Sequence, residues 1–245
     1  MIVFSFDNAP YSIRADLKSA YREYWGSLAS PGNWWTGEER IAIAVEVRKA
    51  LDCSDCKRWK QALSPGRDCG AHVASESLSP AAVDAVHRVI TDQSRITQAY
   101  VDHSDLTEEA YVELVGVAVI VFSIDESMRA LGLPLEPLPK AAAGVPSRYR
   151  PKRACRGIGF VSMLPRDGAV EAEGDLWDSR GRSANVLRAL SLVPDAVRQW
   201  IAVGNAQYLS MRRMMNFSGD TGKALDRRQL ELVAGRVSSF NECFY

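Results

Sequence analysis

The sequence predicts an all-α protein, and three observations carry this prediction. Helix-capping sequences recur along the chain, as in Thr36-Gly37-Glu38-Glu39, where a hydroxyl and a carboxylate can cap backbone N–H groups reciprocally. Apolar residues after these caps recur at the three- and four-residue spacing of a helix face. Hydrophobic residues make up 47% of the 245 positions, which is enough to bury a well-packed core.

The predicted helices follow in chain order from these signals. The first runs from Thr36 to about Leu51. The second follows Ser79-Pro80, a cap and a first-turn proline, and covers 81–91. The third begins at Thr107 and stops near Gly132, because glycine commonly ends a helix.

Prolines divide the chain into two parts. Five of them lie between Gly132 and Lys152, which excludes a regular helix and predicts an extended, basic connection. We therefore predict a first repeat over 1–133, a linker over 134–153 and a second, incomplete repeat over 154–245. In the second part, residues 154–178 are predicted to be irregular, with at most one short strand. Helices are predicted over 183–192, over 194–212 and from Asp226 onwards.

Charge and hydropathy narrow the classes of partner. Lys plus Arg and Asp plus Glu number 30 each, so no net field favours nucleic acid or an anionic membrane. The most apolar stretch, Val112–Ile124, is too short to span a bilayer. The first residues lack the basic and apolar regions of a secretory signal. We expect a cytoplasmic protein without membrane or nucleic-acid partners.

The most informative motif is the cysteine pair Cys53-Ser54-Asp55-Cys56. In a reducing compartment two cysteines this close are more often catalytic, redox-active or metal-binding than a structural crosslink. A thiolate at the start of a helix is favoured by the helix N-terminus and is the nucleophilic form of cysteine. The pair therefore marks the candidate functional site.

A second copy of the cysteine-bearing helix lies at a constant offset of 190 residues, which relates Thr36 to Asp226 and Cys53 to Cys243. The matched apolar positions are Ile43/Val233, Ala44/Ala234, Val47/Val237 and Ala50/Phe240. The chain stops at Tyr245, one residue before a cysteine matching Cys56 would occur. A fragment boundary, a premature stop or a UGA codon meant for selenocysteine would each explain this ending.

Residues 229–243 resemble the approach to the active-site cysteines in the AhpD-like alkylhydroperoxidase and carboxymuconolactone decarboxylase superfamily. That family's repeat is a helix that enters a Cys-x-x-Cys followed by histidine, with a glutamate twelve residues before the first cysteine, here Glu231. Residues 35–56 are similar in layout. Residues 106–133 resemble the helix that follows the motif in two-repeat members.

The resemblance implies an all-α fold of two AhpD-like repeats and a thiol-dependent peroxidase or disulfide oxidoreductase. Cys56 would attack, Cys53 would resolve, and Cys243 would be a resolving cysteine of the second copy. Glu231 would accept a proton during activation. The resemblance further implies no bound organic cofactor, a hydroperoxide or disulfide substrate, an external thiol reductant and self-association into a homo-oligomer.

The first copy departs from the family pattern at two positions. Ile41 stands where the glutamate would be, and Lys60 stands where the histidine would be. Lys60 could lower a thiolate pKa by its charge, and Glu46 could act as a base, although a solvated helix face explains both residues as well. His87 and His103 have no cysteine or carboxylate at metal-ligand spacing and read as structural or exposed.

Two further classes of function remain open. Cys53, Cys56, Cys69 and His72 have the spacing of a structural Cys3His zinc site. Alternatively, the protein is a non-catalytic oligomeric scaffold whose cysteine sites have decayed. Its six tryptophans would then serve a subunit interface, although core packing explains them equally. Cys155 reads as a lone thiol.

Overall fold

The computed structural model describes residues 3–61, 72–177, 183–214, 216–240 and 243. These residues form ten α-helices and no strand, which confirms the all-α class. The helices are α1 Ala15–Ala29, α2 Gly37–Ala50, α3 Ser54–Gln61, α4 Pro80–Thr91, α5 Gln98–Asp102, α6 Glu108–Ala130, α7 Asn185–Arg188, α8 Pro194–Gln207, α9 Met211–Met214 and α10 Arg227–Phe240.

The helices that form the site carry the predicted caps. The Thr36 hydroxyl accepts from the Glu39 N–H at 3.2 Å, and the Glu39 carboxylate accepts from the Thr36 N–H at 2.8 Å. Ser79 and Thr107 cap α4 and α6 with one side-chain bond each. Because each cap satisfies N–H groups that have no partner inside the helix, it fixes where the helix begins.

Three helices, α2, α4 and α6, pack against one another and form the centre of the core. Helix α6 ends where Gly132 adopts φ +66°, which lets the Leu133 N–H donate to the Met128 carbonyl. At Gly116 an added Cβ would lie 2.8 Å from the Ala196 side chain, so this glycine permits α8 to approach α6 closely. Within the described part of the chain, no helix combines the length and apolar character needed to cross a membrane.

Ion pairs tie α2 to α6 inside the core. Arg40 pairs with Glu113 at 2.8 Å, and each side chain is less than 5% exposed. Arg48 donates two hydrogen bonds of 2.8 Å to Asp125, a bidentate arrangement that fixes orientation as well as distance. These pairs hold both ends of α2, which leads to the cysteine pair, in a defined position on α6.

The proline-rich residues after α6 form no helix, as predicted, and they dock on the N-terminal part of the fold. The Ala142 N–H donates to the Ala29 carbonyl, and the Arg148 N–H donates to the Asn33 carbonyl, both at 2.8 Å. The Trp25 indole N–H donates to the Pro137 carbonyl at 2.9 Å. Beyond this segment, α8 packs against both α1 and α6.

The helices of the second part are shorter than predicted. Where we expected a helix over 183–192, α7 covers only Asn185–Arg188, and the chain reaches extended Val193 before α8. The helix expected over 194–212 is broken at Tyr208, which has φ −113° and ψ −107°. Residues 154–177 contain one isolated antiparallel bridge, Cys155 to Met163, in place of a strand. Helix α1 was not predicted, since Arg14 before it provides no side-chain cap.

Helix α10 begins as predicted but lies on the surface. Asp226 and Gln229 form the expected reciprocal cap with two bonds of 2.9 Å. No residue of the helix is buried. Val233 is 56% exposed and Phe240 is 82% exposed, although both belong to the apolar stripe matched to α2.

Candidate functional site

The cysteine pair lies at the junction between α2 and α3. Helix α2 ends at Ala50, and the Cys53 carbonyl accepts the N–H of Lys57, so Cys53 occupies the N-cap position of α3. Cys56 follows in the first turn of α3 and is buried, whereas Cys53 is partly exposed. Both thiols are free. One sulfur is therefore accessible from solvent and the other faces the protein interior.

Two histidines face the two sulfurs. His72 Nδ1 lies 3.7 Å from Cys53 Sγ, and His87 Nδ1 lies 3.3 Å from Cys56 Sγ. His87 projects from the buried face of α4, and His72 comes from the irregular segment that precedes α4. The two imidazole rings stack at 4.0 Å between centroids. Packing of α4 on α2 and α3 brings His87 to Cys56, and the segment before α4 brings His72 to Cys53.

Each histidine meets a carboxylate through its other ring nitrogen. His72 Nε2 lies 3.5 Å from Asp84 Oδ1, and His87 Nε2 lies 3.4 Å from Glu46 Oε2. The result is two Cys–His–carboxylate chains side by side. We name them the Cys53 chain (Cys53, His72, Asp84) and the Cys56 chain (Cys56, His87, Glu46).

The two thiols have opposite pKa shifts. Partial burial works against ionisation of Cys53, but hydrogen bonds from the Cys56 backbone and from His72 outweigh it and hold the pKa of Cys53 below its ordinary value. Burial raises the pKa of Cys56 to about 11, and the neighbouring Cys53 adds to this effect. At neutral pH the Cys56 sulfur is therefore a thiol that needs a base before it can act as a nucleophile.

The two histidines also have opposite pKa shifts. The hydrogen bond to Asp84 raises the pKa of His72, with burial opposing and Cys53 assisting. Burial and the nearby charge of His72 lower the pKa of His87, against the opposing effect of Glu46. His87 is consequently the neutral imidazole of the pair, with one ring nitrogen unprotonated.

Outer side chains hold the carboxylates in place. Asp84 accepts hydrogen bonds of 2.8 Å from Arg88 and from the Tyr100 hydroxyl. The Arg88 guanidinium lies over the Trp59 and Tyr100 rings, at 4.2 and 4.4 Å from their centroids. Lys49 donates to Glu46 at 2.8 Å. The Cys53 chain and the Cys56 chain therefore each end in a carboxylate whose position is fixed by hydrogen bonds, rather than in a mobile surface carboxylate.

A small pocket opens beside the buried sulfur. Its lining includes Cys56, His87, Trp59 and Thr91. The Thr91 hydroxyl donates to the His87 carbonyl at 2.8 Å, a bond within α4 that orients the Thr91 side chain in the pocket wall. The pocket therefore borders the buried Cys56, whereas Cys53 is partly exposed.

The structure brings together only some of the residues selected from sequence. Cys53, Cys56 and His72 lie together, and Glu46, considered a substitute base, is buried and contacts His87. Lys60, the other substitute, has an exposed side chain. Cys69 lies outside the described residues. Glu46 thus provides the carboxylate that is absent at Ile41.

His87 was predicted from the sequence to be structural or exposed, since no cysteine or carboxylate lies at metal-ligand spacing from it, and its contacts were missed. It is buried, and its partners Cys56 and Glu46 are 31 and 41 residues away along the chain. The available signal was its position in the apolar stripe of α4, next to Val86 and four residues after Val83, where an imidazole needs polar partners.

The residues of the second copy lie elsewhere. Glu231 accepts a hydrogen bond of 2.6 Å from the Tyr208 hydroxyl and pairs with Arg227 at 2.6 Å. Cys243 is a free, exposed thiol. Neither residue belongs to the cluster of Cys53, Cys56, His72 and His87. The roles that the resemblance implies for them remain predictions.

No family model, curated protein or solved structure matches the chain. The class of protein is therefore defined by its fold and its site. It is an all-α protein with a cysteine pair at a helix start, in which each thiol faces a histidine backed by a carboxylate. The resemblance to AhpD-like proteins remains a prediction.

Proposed function

We propose that the chain is a thiol-dependent peroxidase that reduces small hydroperoxides with the Cys53–Cys56 pair. The observation that supports this most is the Cys56 chain, in which a buried thiol, a neutral imidazole and a buried carboxylate are aligned. This is the arrangement that general-base activation of a nucleophile requires. The small pocket beside Cys56 is where the oxidant would approach the sulfur.

The first step is proton transfer from Cys56 to His87. With the Nε2–H donated to Glu46, the neutral imidazole presents an unprotonated Nδ1 to the Cys56 sulfur. The Glu46 carboxylate stabilises the imidazolium that forms. The resulting thiolate attacks the terminal peroxide oxygen, the O–O bond breaks, and the alkoxide takes the proton from His87 to leave as an alcohol.

The second step uses the Cys53 chain. Cys56 now carries a sulfenic acid, and the Cys53 thiolate attacks its sulfur. A disulfide forms, and the departing hydroxide takes a proton from His72 to leave as water. All four ligating atoms of the cluster lie within 4.8 Å of one another, so the sulfurs are near enough to react after a small adjustment. An external thiol then reduces the disulfide, attacking first at the more exposed Cys53.

The proposal is tested by peroxide consumption in the presence of a small-molecule dithiol. We expect His87→Ala to reduce the rate constant about 10²- to 10⁴-fold, the range for loss of a general base. Glu46→Gln should cause a smaller loss, because the imidazole remains but its charged form is less stabilised. His103→Ala is the matched control, since His103 is an exposed histidine on a surface turn. Equal rates for the His87→Ala and His103→Ala proteins would contradict the proposal.

A further inference from the structure

Four soft or borderline metal donors converge at the cysteine pair. Cys53, Cys56, His72 and His87 each present one ligand atom, and these atoms all lie within 4.8 Å of one another. The side chains of His72 and His87 are 9% and 5% exposed, and Cys56 is buried. Two thiolates and two imidazoles are a complete donor set for tetrahedral zinc.

The spacing of the donors fits a tetrahedron around one ion. Zn–S bonds of about 2.3 Å and Zn–N bonds of about 2.0–2.1 Å place sulfur and nitrogen about 3.5 Å apart at the tetrahedral angle. The Cys53–His72 and Cys56–His87 separations are 3.7 and 3.3 Å, on either side of that value. These two separations are therefore compatible with donors that share one zinc ion, and the other donor pairs lie within 4.8 Å.

The orientation of both imidazoles adds an independent observation. In each ring Nδ1 faces the sulfurs while Nε2 faces a carboxylate, Asp84 for His72 and Glu46 for His87. Metal-bound histidines almost always donate their second ring N–H to such a partner, which fixes the tautomer and strengthens the ligand. Both imidazoles of this site are therefore oriented as metal-bound histidines are.

We infer that Cys53, Cys56, His72 and His87 form a Cys2His2 site for one zinc ion in the reduced protein. The charge of the ion balances two thiolates, so the occupied cluster is neutral despite its burial. A tetrahedral S2N2 set selects zinc over magnesium, calcium or manganese, which prefer oxygen donors. The set contains His87 in place of Cys69, the fourth ligand of the Cys3His pattern in the sequence.

The zinc inference does not rest on the proposed peroxide chemistry. Because zinc and the disulfide would use the same two sulfurs, bound metal and the disulfide exclude each other. Two zinc-bound thiolates, one hydroperoxide and two protons would yield a disulfide, an alcohol, water and free Zn²⁺. Oxidation would thus release the metal. Binding of zinc to the reduced chain requires no oxidant and is measured separately from turnover.

The test is metal titration of the full-length, reduced protein after removal of metal with a chelator. We expect one Zn²⁺ per chain. We also expect Co²⁺ to give the absorption bands of a tetrahedral site together with sulfur-to-cobalt charge transfer. Bound zinc should protect Cys53 and Cys56 from alkylation and leave the exposed Cys155 reactive, a result that mass spectrometry reads residue by residue. Absence of stoichiometric zinc, or an octahedral cobalt spectrum, would overturn the inference.

Variants then test the ligand set. His72→Ala and His87→Ala should each weaken zinc binding more than 100-fold. Glu46→Gln and Asp84→Asn should weaken it about 10- to 100-fold, the usual range for residues that orient a ligand. His103→Ala and Cys155→Ser are the controls and should bind as the unmodified chain does. Zinc binding that survives His87→Ala but is lost in Cys69→Ser would overturn the assignment in favour of the Cys3His set.

These zinc measurements remain informative when a ligand variant folds poorly. The alkylation pattern and the cobalt spectrum both use the unmodified chain, so they test the site without any substitution. Failure of the peroxidase proposal would appear as unchanged peroxide rates in metal-free His87→Ala, whereas failure of the zinc inference would appear in the metal stoichiometry. The two results are distinguishable because the first is measured without zinc and the second without peroxide.

Discussion

Helices α2 and α10 begin with the same kind of cap, carry matched apolar stripes and lead to a cysteine, yet they have different environments. In α2 the stripe residues Ile43 and Val47 are fully buried. In α10 the matched Val233 is 56% exposed, and no residue is buried. Local sequence therefore determines that each segment is a helix, whereas the packing of neighbouring elements determines whether its stripe becomes core.

The same comparison explains why only one cysteine segment has a candidate site. Helix α4 packs on α2 and supplies His87 and Asp84, and Glu46 of α2 completes the Cys56 chain. Around Cys243 the described residues provide no equivalent cluster. The cysteine pair after α2 thus has its partners on α4, on the segment before α4 and on α2 itself.

The largest expected difference between the two regions is in activity. Cys56→Ser should abolish peroxide reduction, because it removes the sulfur on which the sulfenic acid forms. Cys243→Ser should retain the rate of the unmodified chain. Peroxide consumption with a dithiol reductant measures both. A loss of activity in the Cys243→Ser protein would mean that the C-terminal region contributes to the reaction and would break the comparison.

A large difference in stability is expected between the ion pairs of the two regions. Glu113→Gln leaves Arg40 buried without its charged partner and should lower the free energy of unfolding by about 3–5 kcal/mol. The comparison variant Glu231→Gln acts on an ion pair in which Glu231 is 48% exposed, and it should cost no more than about 1 kcal/mol. Urea unfolding followed by circular dichroism gives both values. Comparable losses of unfolding free energy in the two variants would show that α10 contributes to the stability of the fold as much as α2 does.

A smaller difference is expected between matched apolar positions. Ile43→Ala creates a cavity at the centre of the core and should cost about 2–5 kcal/mol. Val233→Ala, at the same position of the repeat, should change the free energy of unfolding by no more than about 0.5 kcal/mol because the site is exposed. The same urea experiment applies. A loss above 2 kcal/mol for Val233→Ala would indicate that the face of α10 is covered in solution.

Much of the helical framework could be predicted because its signals are local. The capping box at Thr36, the cap at Ser79 and the stop at Gly132 all lie within a few residues of the groups they satisfy. The breaks after Arg188 and at Tyr208 were missed, since apolar periodicity continues across both. Periodicity alone does not reveal where packing ends a helix.

The candidate site was only half predictable for a related reason. The Cys-x-x-Cys spacing is local and was recognised, but the partners of Cys56 come from positions 31 residues ahead and 10 residues behind it. His87 was predicted to be structural or exposed because no cysteine or carboxylate lies at metal-ligand spacing from it in the sequence. Only the packing of α4 on α2 and α3 reveals its contact with Cys56.

The central claim is that Cys53 and Cys56 act together and that Cys243 does not take part. Peptide mapping by mass spectrometry after one equivalent of hydroperoxide, with reduced and metal-free protein, tests it most directly. The account predicts a Cys53–Cys56 disulfide, with Cys155 and Cys243 still open to alkylation. A disulfide that includes Cys243, or an intact pair of thiols after the peroxide is consumed, would contradict it.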